Sequence, residues 1–322
     1  MHEFESGFFV GEKAWHGLGK LLAKAPRTPA EALREAGLDW IVEERPISVP
    51  GVPATPGTWV GDYKALVRST DQRVLSVVDP FYKPLQNADA LKFFAPLVAD
   101  KDCSFEAAGS LRGGRRIWVL AKINGSTADV GKGDPIEPYF LLANGHDTSL
   151  KVTLMFTAIR VVCMNTLKMA LGRGAASAVK VLHSQKLEES LSAIREALDV
   201  SKQTFTLSVK EFRAMKARGL DVDGLKQYVR KVFAGEGSLD DQGDEKMPRC
   251  WETVEKNFEA GVGSKLAGST VWGAYNAVTH FLDYQRGTSS ATTEATRLDS
   301  TWFGEAARVR DRAHKEALVL VK

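Results

Sequence analysis

Three groups of residues in this chain have the types and spacing to do chemistry. The first is the polar hexapeptide Asn144-Gly145-His146-Asp147-Thr148-Ser149, set between two apolar runs. His146 beside Asp147 has the composition of an acid/base or metal site, because an imidazole titrates near neutral pH. Neighbouring residues on an extended chain point to opposite faces, however, so the pair does not converge by sequence alone. Asn-Gly and Asp-Thr-Ser are equally ordinary turn chemistry, since Asn and Asp side chains bond nearby backbone amides. The second group is Arg160-Val161-Val162-Cys163-Met164-Asn165-Thr166. Cys163 would act as a nucleophile only with a base within reach, and an isolated cysteine otherwise behaves as a small buried hydrophobe. Arg160 and Asn165 suit polar contacts with a phosphate or a neighbouring loop. A hydrolase or nuclease built on His146, Asp147 and Cys163 therefore requires these side chains to meet in a cleft.

The third group is electrostatic. Residues 109–122 hold Arg112, Arg115, Arg116 and Lys122 with no acid, and residues 148–187 hold Lys151, Arg160, Lys168, Arg173, Lys180 and Lys186, again with none. The formal net charge of the whole chain is only +3, so positive charge is concentrated here. A field of one sign with no internal partner suits a polyanion, of which nucleic acid is the commonest; a basic face on a globular domain is the other reading. Arg112, Arg115 and Arg116 surround Gly113-Gly114, a favoured hairpin tip, and Trp118 follows Arg116 by two positions on the strand. Guanidinium on phosphate with a ring against a base is a common way to hold a single strand. Alternatively, the tip is solvated and Trp118 belongs to the core. The candidate nucleic-acid set is Arg112, Arg115, Arg116, Trp118, Lys151, Arg160, Lys168 and Arg173.

The elements that must position these groups are readable in outline. Thr28-Pro29-Ala30-Glu31 has the order of a helix start, with a stop at Gly37. Strands are expected over 63–68 and 74–78 as one hairpin, over 103–108 and 116–123 as another, and over 138–143 and 151–156 as a further antiparallel pair. A helix is expected from about 88 to 98, begun by Asn87. The spacing of Ile159, Val162, Cys163, Leu167 and Ala170 predicts a helix after Thr157. Further helices are expected over 187–216, 222–233, 247–258, 270–284 and 303–320. The fold class is thus α+β: an antiparallel, hairpin-rich sheet with packed helices, followed by a mainly helical C-terminal region. The division predicted is a core domain over 1–184 with the basic hairpin and a helical region over 185–322, with flexible loops at 235–246 and 286–298.

Several segments together resemble the phage/plasmid-like protein family, a bacterial and phage domain of unknown function. They are residues 2–7 (His-Glu-Phe-Glu-Ser-Gly), Trp15-His16-Gly17-Leu18-Gly19, Gly37-Leu38-Asp39-Trp40, the Gly145-His146-Asp147 loop and the segment from Arg160 to Thr166. The resemblance implies a role in mobile-element DNA metabolism or in conflict with a host, and it supplies no activity. The layout of hairpins, basic tip and following helix is also similar to the core of phage single-strand annealing proteins, which bind single-stranded DNA and assemble into rings or filaments.

Composition narrows the classes. Of 322 residues, 44% are hydrophobic and 26% charged, ordinary values for a globular chain that buries a core. No apolar run approaches the roughly 18 residues that span a bilayer, and the acidic N-terminus does not read as a secretory signal. The three cysteines, Cys103, Cys163 and Cys250, are widely spaced and odd in number, which fits a reducing cytoplasm; the resemblance implies that of a bacterial host cell. No phosphate-loop, dinucleotide or HExxH pattern occurs, so neither a cofactor nor a metal is expected. The leading expectation is a cofactor-free, homo-oligomeric protein that binds and anneals single-stranded DNA in recombination. A hydrolase, and a protein-interaction module directed at host defence, are the alternatives.

Overall fold

The structure is a computed structural model, and it describes residues 4–11, 19–51, 57–160, 165–168, 187–234, 247–287, 300–302 and 304–322. It is α+β. Among the described residues eleven strands form two sheets. The larger contains β1 (Phe4–Val10), β2 (Lys20–Leu22), β6 (Cys103–Leu111), β7 (Arg116–Ile123), β8 (Ala128–Asp129), β9 (Pro135–Gly145), β10 (Thr153–Arg160) and β11 (Asn165–Lys168). Their order is β11-β10-β9-β7-β6-β1-β2, with β8 on β9. The smaller sheet is β3 (Val42–Val49), β4 (Thr58–Arg68) and β5 (Val74–Val78), in that order and antiparallel throughout.

The chain divides into two compact units. One comprises Met1–Asn124, Phe140–Met155 and Ala176–Leu198; the other comprises Gly125–Tyr139, Phe156–Ala175 and Asp199–Lys322. In the first unit α1 (Pro29–Glu35) starts as its sequence dictates. The Thr28 side chain accepts from the Glu31 N–H, Glu31 accepts from the Arg27 N–H, and the helix ends at Gly37 with φ of 66°. Strand β6 lies between β1 and β7 and is buried along most of its length, as a central strand must be. Phe94, Phe105 and Phe140 pack with centroids 6.1–6.2 Å from Phe94. Strands β1 and β6 meet at Gly7 and Gly109, where a side chain has no room. A Cβ on Gly109 would lie 2.3 Å from the Ser6 carbonyl.

The second unit is built around α8 (Val271–His280), every residue of which from Val271 to Thr279 is buried. A helix apolar on all sides belongs at the centre of a bundle. Around it are the C-terminal part of α4 (Leu187–Ala217), α5 (Val222–Val232), α6 (Trp251–Ala260), α7 (Ser264–Ala267) and α9 (Glu305–Leu320). The ring of Phe212 lies 5.0 Å from Trp272 and 6.2 Å from Tyr275, and the Trp272 indole N–H donates to buried Asp134 at 2.9 Å. A π-turn, Phe281–Gln285, extends α8 and places Asp283 against Arg310, which also donates to the Thr301 carbonyl.

The hairpins over β4–β5 and β6–β7 and the helices α4, α5, α6, α8 and α9 are those the sequence predicts, whereas the one-turn α7 is not. Three further elements differ. The predicted helix after Thr157 is a β-hairpin, with Thr157 opposite Lys168 and Arg160 opposite Asn165. Thr157, Ala158 and Ile159 are buried in succession, which a strand covered on both faces permits and an amphipathic helix does not. The single helix predicted over 88–98 is two, α2 (Asn87–Lys92) and α3 (Ala95–Ala99), because Pro96 has no N–H to offer the Lys92 carbonyl. Asn87 is not the cap; that position is Gln86. Strands β1 and β2 occupy a segment in which only α1 was expected.

Two substitutions probe the two units. Gly109→Ala forces β1 away from β6, and a loss of about 1–3 kcal/mol is expected in urea denaturation. Phe212→Ala empties a fully buried aromatic site, and the same measurement should show a loss of about 3–5 kcal/mol.

Candidate nucleic-acid interface

The β6–β7 turn is Arg112-Gly113-Gly114-Arg115, and its first three residues have φ of 55°, 67° and 82°. Glycine adopts this left-handed conformation freely, which explains Gly113-Gly114 at the tip. The turn separates the basic residues by environment. Arg115 is exposed, Arg112 is half-buried, and Arg116 is 8% exposed with its guanidinium donating to the Ser149 hydroxyl at 3.0 Å. Trp118 is 1% exposed and lies 5.7 Å from Phe9, so its ring is part of the core.

His146 joins this turn to two other elements. Its N–H donates to the Arg115 carbonyl at 2.7 Å, and its own carbonyl accepts from the Ser76 hydroxyl of β5 at 2.6 Å. The imidazole is fully buried. Nε2 lies 2.9 Å from Asn87 Oδ1 and Nδ1 lies 3.4 Å from Asn144 Nδ2. The Asn87 amide nitrogen is committed to the Leu38 and Trp40 carbonyls, so its oxygen must accept. His146 therefore carries its proton on Nε2 and accepts on Nδ1. The Trp40 ring packs edge-on at 5.6 Å. Burial pushes the imidazole down to about 4, against a smaller upward pull from Asp147. It is neutral at pH 7, its two nitrogens are occupied by amides, and no face is open to a substrate.

Asp147 serves the same loop. Its Oδ1 accepts from the N–H and hydroxyl of Ser149, an Asx-type turn, and Thr148 has φ of 60°. Through Ser149 it reaches Arg116. Lys151, just beyond, is exposed. Below the turn Arg68 is clamped by Glu5 and Asp71 while its guanidinium lies 5.6 Å over the Trp40 ring. The bond to Arg68 holds the Asp71 carboxyl well below the usual range, despite some opposition from desolvation. Arg73 approaches Asp71 at 3.5 Å and Glu5 at 3.8 Å.

The residues selected from sequence thus separate. Arg112, Arg115, Arg116, His146, Asp147 and Lys151 are gathered around the β6–β7 turn and the 146–151 loop. Arg160 and Lys168 sit on the β10–β11 hairpin, at its closed end and at the end of β11. Cys163, Arg173 and the cluster 15–18 lie outside the described residues. Among the described residues no group of three or more His, Cys, Asp or Glu is placed to hold a metal, and no helix is long and apolar enough to cross a membrane. Sequence reasoning missed Asn87 and Ser76, whose partners are 47–70 positions away, and Arg68, which joins its neighbour Asp71 to Glu5, 63 positions away.

The fold is an α+β assembly with a braced basic turn on its strand-rich unit. The family model for a domain of unknown function, DUF932, matches residues 74–302, and the chain belongs to that family. No curated protein and no solved structure matches it.

The imidazole makes stability depend on pH. Its folded value lies below the unfolded one of about 6.5, so the unfolded chain takes up the proton first and stability falls as pH drops from 6.5 towards 4. At about 1.4 kcal/mol per pH unit the loss from this group approaches roughly 3 kcal/mol. Half-buried His280 is lowered too, by desolvation, and adds with the same sign. Urea denaturation at a series of pH values should therefore show a steeper fall for the native chain than for His146→Gln.

Proposed function

We propose that this protein binds single-stranded DNA without a cofactor and, as a homo-oligomer, anneals strands during recombination of a phage or other mobile element. The observation that carries the reading is the pairing of two exposed cations on adjoining loops. Arg115 and Lys151 are both exposed, and the His146 N–H to Arg115 carbonyl bond holds their loops together. Each stands in a run of sequence that holds no carboxylate. Nearby acids are engaged: Asp147 by Ser149, and Glu5 and Asp71 by Arg68. A phosphate chain crossing the two loops would meet Arg115 and Lys151, with Glu5 and Asp71 already paired to Arg68. The likeness of residues 2–7, 145–147 and 160–166 to phage/plasmid-like proteins supports the mobile-element setting.

Fluorescence anisotropy with a labelled dT oligonucleotide across a salt series tests this. Affinity should fall as salt rises, and Arg115→Ala and Lys151→Ala should each reduce the slope of log K against log salt by about 0.7. Absent binding at low salt, or binding indifferent to salt, overturns the reading. Addition of the complementary strand should accelerate duplex formation over the protein-free rate.

A further inference from the structure

The turn leaving β5 displays an aromatic ring to water. Phe81 is 87% exposed, more than any other exposed large hydrophobic residue among those described, with Trp59 next at 69%. Its backbone is braced. The Phe81 N–H donates to Asp79 Oδ1 at 2.9 Å, the Tyr82 N–H to the Asp79 carbonyl at 3.3 Å, and Lys64 Nζ to the Pro80 carbonyl at 2.7 Å. Pro80 fixes its own φ as well. Leaving a phenylalanine side chain in water forgoes about 1.5–3 kcal/mol of burial. The ring therefore stands in water on a turn whose backbone is fixed by hydrogen bonds, and its face is accessible to a ligand.

The surroundings say what. Strand β5 carries Ser76, bonded to the His146 carbonyl, so the 79–83 turn follows directly from the element that anchors the 146–151 loop. Tyr82 is half-buried, and its phenol is raised by burial and further by the charge of Asp147. Lys83 extends an exposed side chain from the same turn. The acids nearby are Asp79, which caps the Phe81 N–H, Asp147, which holds Ser149, and Glu44, which pairs with Lys64 at 2.8 Å and also feels the charge of Lys83. Cations with exposed side chains beside a free aromatic face are complementary to a ligand that offers phosphates and flat rings in alternation, and every base has a face that stacks.

We infer that Phe81 is a base-stacking residue: its ring takes one base of a single strand, while Lys83, Arg115 and Lys151 hold the adjoining phosphates. This inference rests on the single-stranded DNA reading above and adds a contact that is independent of charge. Two probes of equal length separate the contributions, a dT oligonucleotide and a deoxyribose-phosphate chain that lacks bases. Phe81→Ala should weaken dT binding by about tenfold to a hundredfold and leave the salt slope unchanged. It should leave binding to the base-free chain unaltered, and Phe81→Trp should retain dT affinity. Equal dT affinity of the native protein and Phe81→Ala overturns the stacking role while DNA binding stands. Failure of the native protein to bind dT at low salt overturns both. A changed sedimentation coefficient of DNA-free Phe81→Ala, with dT affinity intact, assigns the ring to a contact between copies of the chain and also overturns the proposal.

Discussion

A neutral imidazole held between two amides organises the strand-rich unit. The His146 ring needs one donor and one acceptor of the opposite kind, and Asn87 and Asn144 supply them in the one arrangement compatible with the Leu38 and Trp40 carbonyls. A second proton would set a donor on Nδ1 against the Asn144 amide hydrogens, inside a site closed to water. The same residue's backbone bonds to the β6–β7 turn and to β5. The basic turn, the 146–151 loop and β5 are therefore tied together by one buried residue. Its position beside Asp147 resembles a catalytic pair in one dimension, but the two side chains serve different tasks in three: one bonds inward to amides and the other closes a surface turn.

Charge shows the same separation between chain order and space. An acid-free run of sequence invites the reading that all its cations are available. The tertiary structure instead assigns Arg116 to Ser149 and buries it, and it brings Glu5 from the first strand to Arg68 and Arg73, beside their sequence neighbour Asp71. Burying a guanidinium is tolerable only when its donors are met, which is why Arg116 and Arg68 have acceptors close by. Among the described cationic side chains of the two acid-free runs, Arg115 and Lys151 remain exposed, and Lys83 and Phe81 are exposed on the 79–83 turn.

The helical unit follows a different logic. Its centre is α8, buried from Val271 to Thr279, and three of the polar pairs inside it are Trp272 with Asp134, Tyr228 with the Ala313 carbonyl and Arg310 with Asp283. These partners lie 27–138 positions apart, so each bond closes only after the helices have packed.

Local rules were sufficient wherever a segment satisfies itself. The capped start of α1, its Gly37 stop, the Gly113-Gly114 tip and the helices after 187 follow from side chains that bond or turn their own neighbourhood. The exposed placement of Arg115 follows from the same tip. Residues 157–168 were not legible, because a short apolar run has no decisive period and pairing within the larger sheet chose the strand. Nor was the role of His146 legible: its environment is made by Asn87, 59 positions away, and its burial, which decides its protonation, is a property of packing. By itself the sequence determined the class of fold, the basic turn and the acid-free setting of Arg115 and Lys151. Only the tertiary structure decided that Arg116 is buried while Lys151 reaches water, that Trp118 does not, and that Phe81 does, because exposure is set by neighbours that the chain brings from a distance.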